Sequence, residues 1–176
     1  DYPIFAHLPF VMGQDNAKLS KRNGEVSIAW YRERGFLPEA ICNYLALLGW
    51  SPGDDKENIS MQEMTELFTI ERVGKNPARF DMKKLEAING DKIRALPVEE
   101  VIKRALPFME SAGIALMGEQ AQALFARAIP LIHERIVTLA EIPDYVRFLF
   151  TEKFAIDSEA KEKALTADSL PILAAA

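Results

Sequence analysis

Cysteine occurs once, at Cys42, and histidine twice, at His7 and His133. One thiol excludes an internal disulfide and a thiolate zinc site, and there is no paired-histidine metal motif. His133, within "LIHERI", reads as a packing or surface residue of a helix, and His7 has no accompanying motif, so no nucleophile–histidine constellation is visible. Cys42 falls on the apolar side of its helix and reads as a small core residue. A glycine-rich phosphate loop of the Walker or dinucleotide type is also missing. No apolar run approaches the roughly 18 residues of a membrane span. The first residues, "DYPIFAHLPF", lack the basic-then-apolar order of a signal peptide. The expectation is a cytoplasmic protein with no structural metal and no membrane partner.

What is present is an ordinary globular composition: 49% hydrophobic and 27% charged among 176 residues, enough for one domain or two small ones with a real core. The net charge of −5 argues against nucleic-acid binding over the whole surface. The distribution is uneven, however. Residues 54–71 hold six acids against the single Lys56, whereas residues 72–94 hold seven cations: Arg72, Lys75, Arg79, Lys83, Lys84, Lys92 and Arg94. Screening confines each charge to about 8–10 Å, so a local basic face can bind a polyanion on an acidic protein. Solvated helix faces give the same pattern.

A second cluster lies in "NAKLSKRNGE", where Lys18, Lys21 and Arg22 are flanked by Asn16, Asn23 and Gly24. Two ammoniums three residues apart, with the Ser20 hydroxyl between them, suit a triphosphate. Phosphoryl and nucleotidyl transfer need mainly positioning and charge stabilisation, which a lysine loop can supply. A solvated turn is the competing reading.

Around this loop the pattern is mostly helical. "HLPFVMG" reads as a short strand, "QDN" as a turn and "SIAWYRERG" as a helix capped by Ser27 and stopped at Gly35. "LPEAICNYLALLG" has Pro38 in its first turn, Leu37, Ile41, Tyr44, Leu45 and Leu48 at helical spacing, and Gly49 as its end. Ser60 and Glu63 have capping-box spacing before an apolar stripe of Met61, Met64, Leu67 and Phe68. "GKNPARF" reads as a loop, followed by a helix capped by Asp81 that ends at Asn89-Gly90. Helices are expected over 98–111 and 119–140, each kinked or split at its internal proline, Pro107 or Pro130. "IPDYVRFLF" is a further short helix, and Ser158 caps another. A composition change at 90–98 marks the best domain boundary, with a bundle-like helical region after it.

"KLSKR" resembles the lysine-serine-lysine signature loop of class I aminoacyl-tRNA synthetases in its glutamate form, with Arg22 in place of the final serine. The segments "HLPFVMGQDNAKLSKRNGEVSI", "GFLPEAICNYLALLGWSP" and "NPARFDMKKLEAINGDKIR" follow in the order of bacterial-type glutamyl-tRNA synthetases, a resemblance running from about residue 3 to 96. It implies a mainly α chain: residues 1–26 as the end of a catalytic domain, 27–96 as a stem-contact region, and 97–176 as the start of an anticodon-binding helical domain. It implies an ATP-binding loop of Lys18, Leu19, Ser20, Lys21 and Arg22. Within that loop, Lys21 is the catalytic cation as glutamate attacks the α-phosphate. It implies a tRNA-contacting surface of Arg72, Lys75, Arg79, Lys83, Lys84 and Arg94. The implied substrates and partners are ATP with Mg2+, glutamate and tRNA(Glu), acting on a monomer. The family's histidine-rich signature, glutamate pocket and acceptor-stem insertion find no match, and the chain opens in a mid-strand apolar segment. It is therefore expected to be a central-to-C-terminal piece that does not charge tRNA alone. Whether glutamine tRNA is also charged is not decided by these residues. A glutaminyl enzyme is disfavoured by the helical second half. The alternative class is a non-catalytic helical protein-interaction module.

Overall fold

The structure is a computed structural model that describes residues 3, 5–13, 17–19, 27–53, 56–151 and 162. The proposed turn at 14–16, the loop residues Ser20, Lys21 and Arg22, and the proposed Ser158 cap lie outside the described residues.

Two strands, β1 (Val11–Met12) and β2 (Ala78–Arg79), pair in parallel. The helices are α1 (Ile28–Glu33), α2 (Pro38–Leu47), α3 (Met61–Leu67), α4 (Met82–Arg94), α5 (Val98–Ser111), α6 (Gly118–Ile132) and α7 (Ile142–Val146), with 3-10 turns at Ile70–Arg72, Leu139–Glu141 and Arg147–Leu149. The helix starts follow local chemistry. Ser27 Oγ accepts the Trp30 N–H, Ser60 and Glu63 form a reciprocal capping box, and Asp81 accepts from the N–H groups of Lys83 and Lys84. Gly35 ends the first helical segment at φ +76°, and a Cβ there would lie 2.5 Å from the Ala140 backbone nitrogen. Only glycine fits that crossing.

One apolar core takes side chains from both halves of the chain: Tyr31, Leu37 and Tyr44 from the first helices, Leu85 and Ile93 from α4, and Val101, Met109, Phe125 and Ile129 from α5 and α6. Two buried polar side chains tie it together. Asn89 Oδ1 accepts the Leu37 N–H at 2.8 Å, and its Nδ2 donates to the Val137 carbonyl at 2.6 Å. His133 Nε2 donates to the Ile93 carbonyl at 2.8 Å, which makes it the packing residue expected. On the surface, Arg104 joins α2 to α5 by donating to Glu39 at 3.0 Å and to Glu100 at 2.7 Å. The Arg104 hydrogen bond holds the Glu100 carboxyl below its usual range, and Glu100 in turn raises the guanidinium.

Several sequence expectations need correction. α4 does not end at Asn89-Gly90 but continues to Arg94, because the Asn89 amide is spent on two other segments instead of capping its own helix. α6 ends at Ile132 and not near 140; Ile136 and Leu139 still reach the core, from the turn beyond it. Of the two outcomes expected at the prolines, kink or split, the split does not occur, because α5 and α6 each run on through theirs. Pro107 and Pro130 both face solvent, where the carbonyl deprived of a partner can bond to water. "GKNPARF" contains β2, and the α3 stripe buries only Met64, leaving Met61, Leu67 and Phe68 exposed.

Candidate nucleotide and RNA site

A smaller cluster of Trp50, Ile59 and Met64 sits beside the main core, with Cys42 half-buried against it. Asn43 pins it: its Nδ2 donates to the Glu57 carbonyl and its Oδ1 accepts the Ile59 N–H, both at 2.9 Å. An apolar groove of about 360 Å³ separates this cluster from the segment before β1.

The root of the lysine loop is built onto β1. Gly13 N–H donates to the Ala17 carbonyl at 2.8 Å, Leu19 N–H donates to the Val11 carbonyl at 2.9 Å, and Lys18 pairs antiparallel with Met12. The Lys18 ammonium lies 3.9 Å from the centroid of the exposed Phe10 ring. Such a contact is worth about 0.5–1 kcal/mol at an exposed site, so the charge is lightly held and can be given up to a stronger anion. Of the five loop residues singled out by sequence, Lys18 and Leu19 are described; Ser20, Lys21 and Arg22 are not.

β2 carries Arg79 on the other edge of β1, with Phe80 N–H donating to the Met12 carbonyl at 2.8 Å. The strand leads straight into the α4 cap, and this junction is anchored in the core. Asp81 N–H donates to Tyr44 Oη at 2.5 Å, and the Phe80 ring meets Tyr44 edge-on at 5.2 Å. Burial raises the Tyr44 pKa, keeping the hydroxyl neutral.

The remaining cations divide by what they already hold. Arg72 donates to the Pro52 carbonyl and braces the 51–53 turn. Lys84 pairs with Glu57 at 2.6 Å, and Arg94 with Asp91 at 2.5 Å. Lys92, half-buried and lowered in pKa chiefly by desolvation, donates to Asn58 at 2.9 Å and to the Ile59 carbonyl at 3.0 Å. Lys75 and Lys83 are exposed, and no carboxylate among the described residues is within ion-pair distance of either ammonium. The 72–94 cluster is therefore partly internal bracing and partly open positive surface. Phe10 and Tyr44, which hold Lys18 and the β2–α4 junction, were not singled out by sequence for this purpose.

Among the described residues no group of histidine, cysteine and carboxylate side chains could hold a metal, and no helix is long and apolar enough to cross a membrane. Residues 1–87 match the family model for the catalytic domain of class I tRNA synthetases (E and Q), and residues 100–176 match that for an anticodon binding domain. A glutamate–tRNA ligase of Saccharopolyspora erythraea is 46% identical over 99% of this chain and 35% of its own length. The glutamate–tRNA ligase of Rhodococcus jostii is 48% identical over 99% of this chain and 36% of its own. The chain belongs to the glutamyl-tRNA synthetase family. It spans about a third of the length of these synthetases. The architecture agrees. The crystal structure of a glutamate tRNA ligase from Elizabethkingia meningosepticum, in complex with its amino acid, superposes with a TM-score of 0.79 at 30% identity, over 99% of this chain and 38% of that one. The glutamate–tRNA synthetase of Elizabethkingia anophelis gives 0.76 at 31% identity, over 93% and 36%.

Proposed function

We propose that this chain is the part of a glutamate–tRNA ligase that carries the ATP-phosphate loop, over 1–26, the stem-contact helices, over 27–96, and the start of the anticodon-binding helices, over 97–176. The ligase activates glutamate with ATP and transfers it to tRNA(Glu), in the cytoplasm and as a monomer. One observation carries the reading: the root of the lysine loop is hydrogen-bonded to β1, and the partner strand β2 runs directly into α4 with its outward cations. A phosphate loop and a polyanion-facing helix thus share one framework.

In this reading Lys18, Leu19, Ser20, Lys21 and Arg22 surround the triphosphate. An oxygen of the glutamate carboxylate bonds to the α-phosphorus as the bond to the β-phosphate bridge breaks, and Lys21 stabilises the charge that passes to the departing pyrophosphate. Mg2+ would arrive with the nucleotide and would offset the negative charge of its phosphates beside Lys18 and Lys21. Lys75 and Lys83 contact RNA phosphates directly. Arg72, Lys84 and Arg94 do so by exchanging a protein partner for a phosphate, which fixes the position of the RNA without reading its bases. The glutamate pocket belongs to polypeptide outside this chain.

ATP–pyrophosphate exchange tests this division. The chain alone is expected to be silent. Joined to the rest of a synthetase it should support exchange, and Lys21→Ala should then lower the rate by about a hundredfold or more. Exchange by the chain alone would refute the division, and an unaffected Lys21→Ala rate would refute the loop assignment.

A further inference from the structure

Met12 is the middle row of a three-row ladder, paired antiparallel with Lys18 on one edge and parallel with Arg79 on the other. Residues opposite one another in a ladder project from the same face, as do residues two apart on one strand. Lys18 shows which face this is, because its ammonium rests on the ring of Phe10, two positions before Met12. Arg79 therefore stands on the face that carries Lys18. Their backbones are two strand spacings apart, about 10 Å. Both residues are exposed, so two long side chains can converge from opposite edges on one anion.

The two cations are held differently. Lys18 lies at the root of the loop and offers a point charge resting on an aromatic ring. Arg79 lies on a strand fixed to the core through Phe80 and Asp81 on Tyr44, and offers a planar fork suited to two phosphate oxygens at once. We propose that Arg79 is a phosphate-binding residue of the loop site, forming with Lys18 a clamp across Met12 for a polyphosphate chain: the β- and γ-phosphates of a nucleoside triphosphate, or the pyrophosphate that leaves. The inference rests on the loop being the ATP-phosphate loop. It moves Arg79 from the RNA surface, where the sequence resemblance puts it, to the nucleotide site.

The test is a titration of the 15N-labelled chain with sodium tripolyphosphate, followed by amide shifts. Wild type should show saturable shifts at Val11–Gly13 and Ala78–Phe80. Arg79→Ala and Lys18→Ala should each weaken binding about tenfold. Arg79→Lys should recover part of the loss, and Lys103→Ala, at an exposed position of α5, should change nothing. If Lys18→Ala and Lys21→Ala weaken binding while Arg79→Ala does not, the clamp is overturned and the loop assignment stands. If wild type shows no saturable binding, the loop assignment fails and the clamp fails with it. If Arg79→Ala weakens glutamate tRNA binding and leaves tripolyphosphate untouched, Arg79 is a stem contact and the clamp is again overturned.

Discussion

The main core and the small Trp50 cluster use the same device at different strengths. Each is closed by a fully buried asparagine whose amide holds two backbone groups distant from it in sequence, in two separate segments for Asn89 and in the single segment 57–59 for Asn43. Asn89 does this inside a core that runs from Tyr31 to Val146, and Asn43 does it for three buried side chains beside an open groove. A buried amide stabilises by leaving no backbone group unpaired, so its worth depends on how completely its surroundings exclude water. The large core fixes the long helices, while the small cluster sits beside the ladder in which β1 pairs with Arg79 on one edge and Lys18 on the other.

The largest expected effect is that of Asn89→Leu, which leaves the Leu37 N–H and the Val137 carbonyl buried without partners and should cost about 4 kcal/mol in chemical denaturation. Asn43→Leu should instead act locally, speeding hydrogen exchange at Trp50 and Ile59 while amides of α5 and α6 keep their protection. An equal loss of global stability from both would merge the two regions into one unit. Next come two isoleucines that are both 0% exposed, Ile129 in the large core and Ile59 in the small cluster. Truncation to alanine should cost about 3 kcal/mol at Ile129 and about 2 at Ile59, where the groove lets neighbours relax into the space. Equal costs would mean the groove gives no relief.

Ser60→Ala should cost about 1 kcal/mol by removing half of the capping box of α3. The smallest effect concerns acid. The Lys56 ammonium, followed by the Ser60 bonds, lowers the Glu63 pKa from 4.5 to about 2. A carboxyl depressed on folding contributes stability that is whole above its ordinary pKa and is lost as pH falls through the folded value. Melting temperature should therefore drop between pH 4.5 and about 2, and Glu63→Gln should flatten that limb slightly, less so in high salt. An unchanged limb would show that the exposed pair contributes nothing.

Many helix starts could be read in advance because caps are local: Ser27, the Ser60–Glu63 pair and Asp81 each signal with a neighbour three residues away or fewer. The misread points are long-range. Asn89-Gly90 has the composition of a stop, and what overrides it are bonds to residues 52 and 48 positions away. β2 is two residues long and exists because β1 lies beside it, so no periodicity could announce it. At the site, the proposal of a phosphate-binding lysine loop rests on residue types and on family resemblance. The registry of Arg79 with Lys18 was not, since only the fold brings them to one ladder. Nor could sequence separate Lys75 and Lys83, which have no carboxylate partner among the described residues, from Lys84 and Arg94, which are already paired.

The most direct measurement of the central claim is a salt titration of glutamate tRNA binding to the chain by fluorescence anisotropy, beside the Lys75→Ala/Lys83→Ala variant. The expected result is an affinity that falls about a hundredfold between roughly 50 and 200 mM salt, with the log–log slope about 2 units shallower in the double variant. An affinity and slope that the two substitutions leave unchanged would contradict the proposal that Lys75, before β2, and the outward face of α4 receive tRNA.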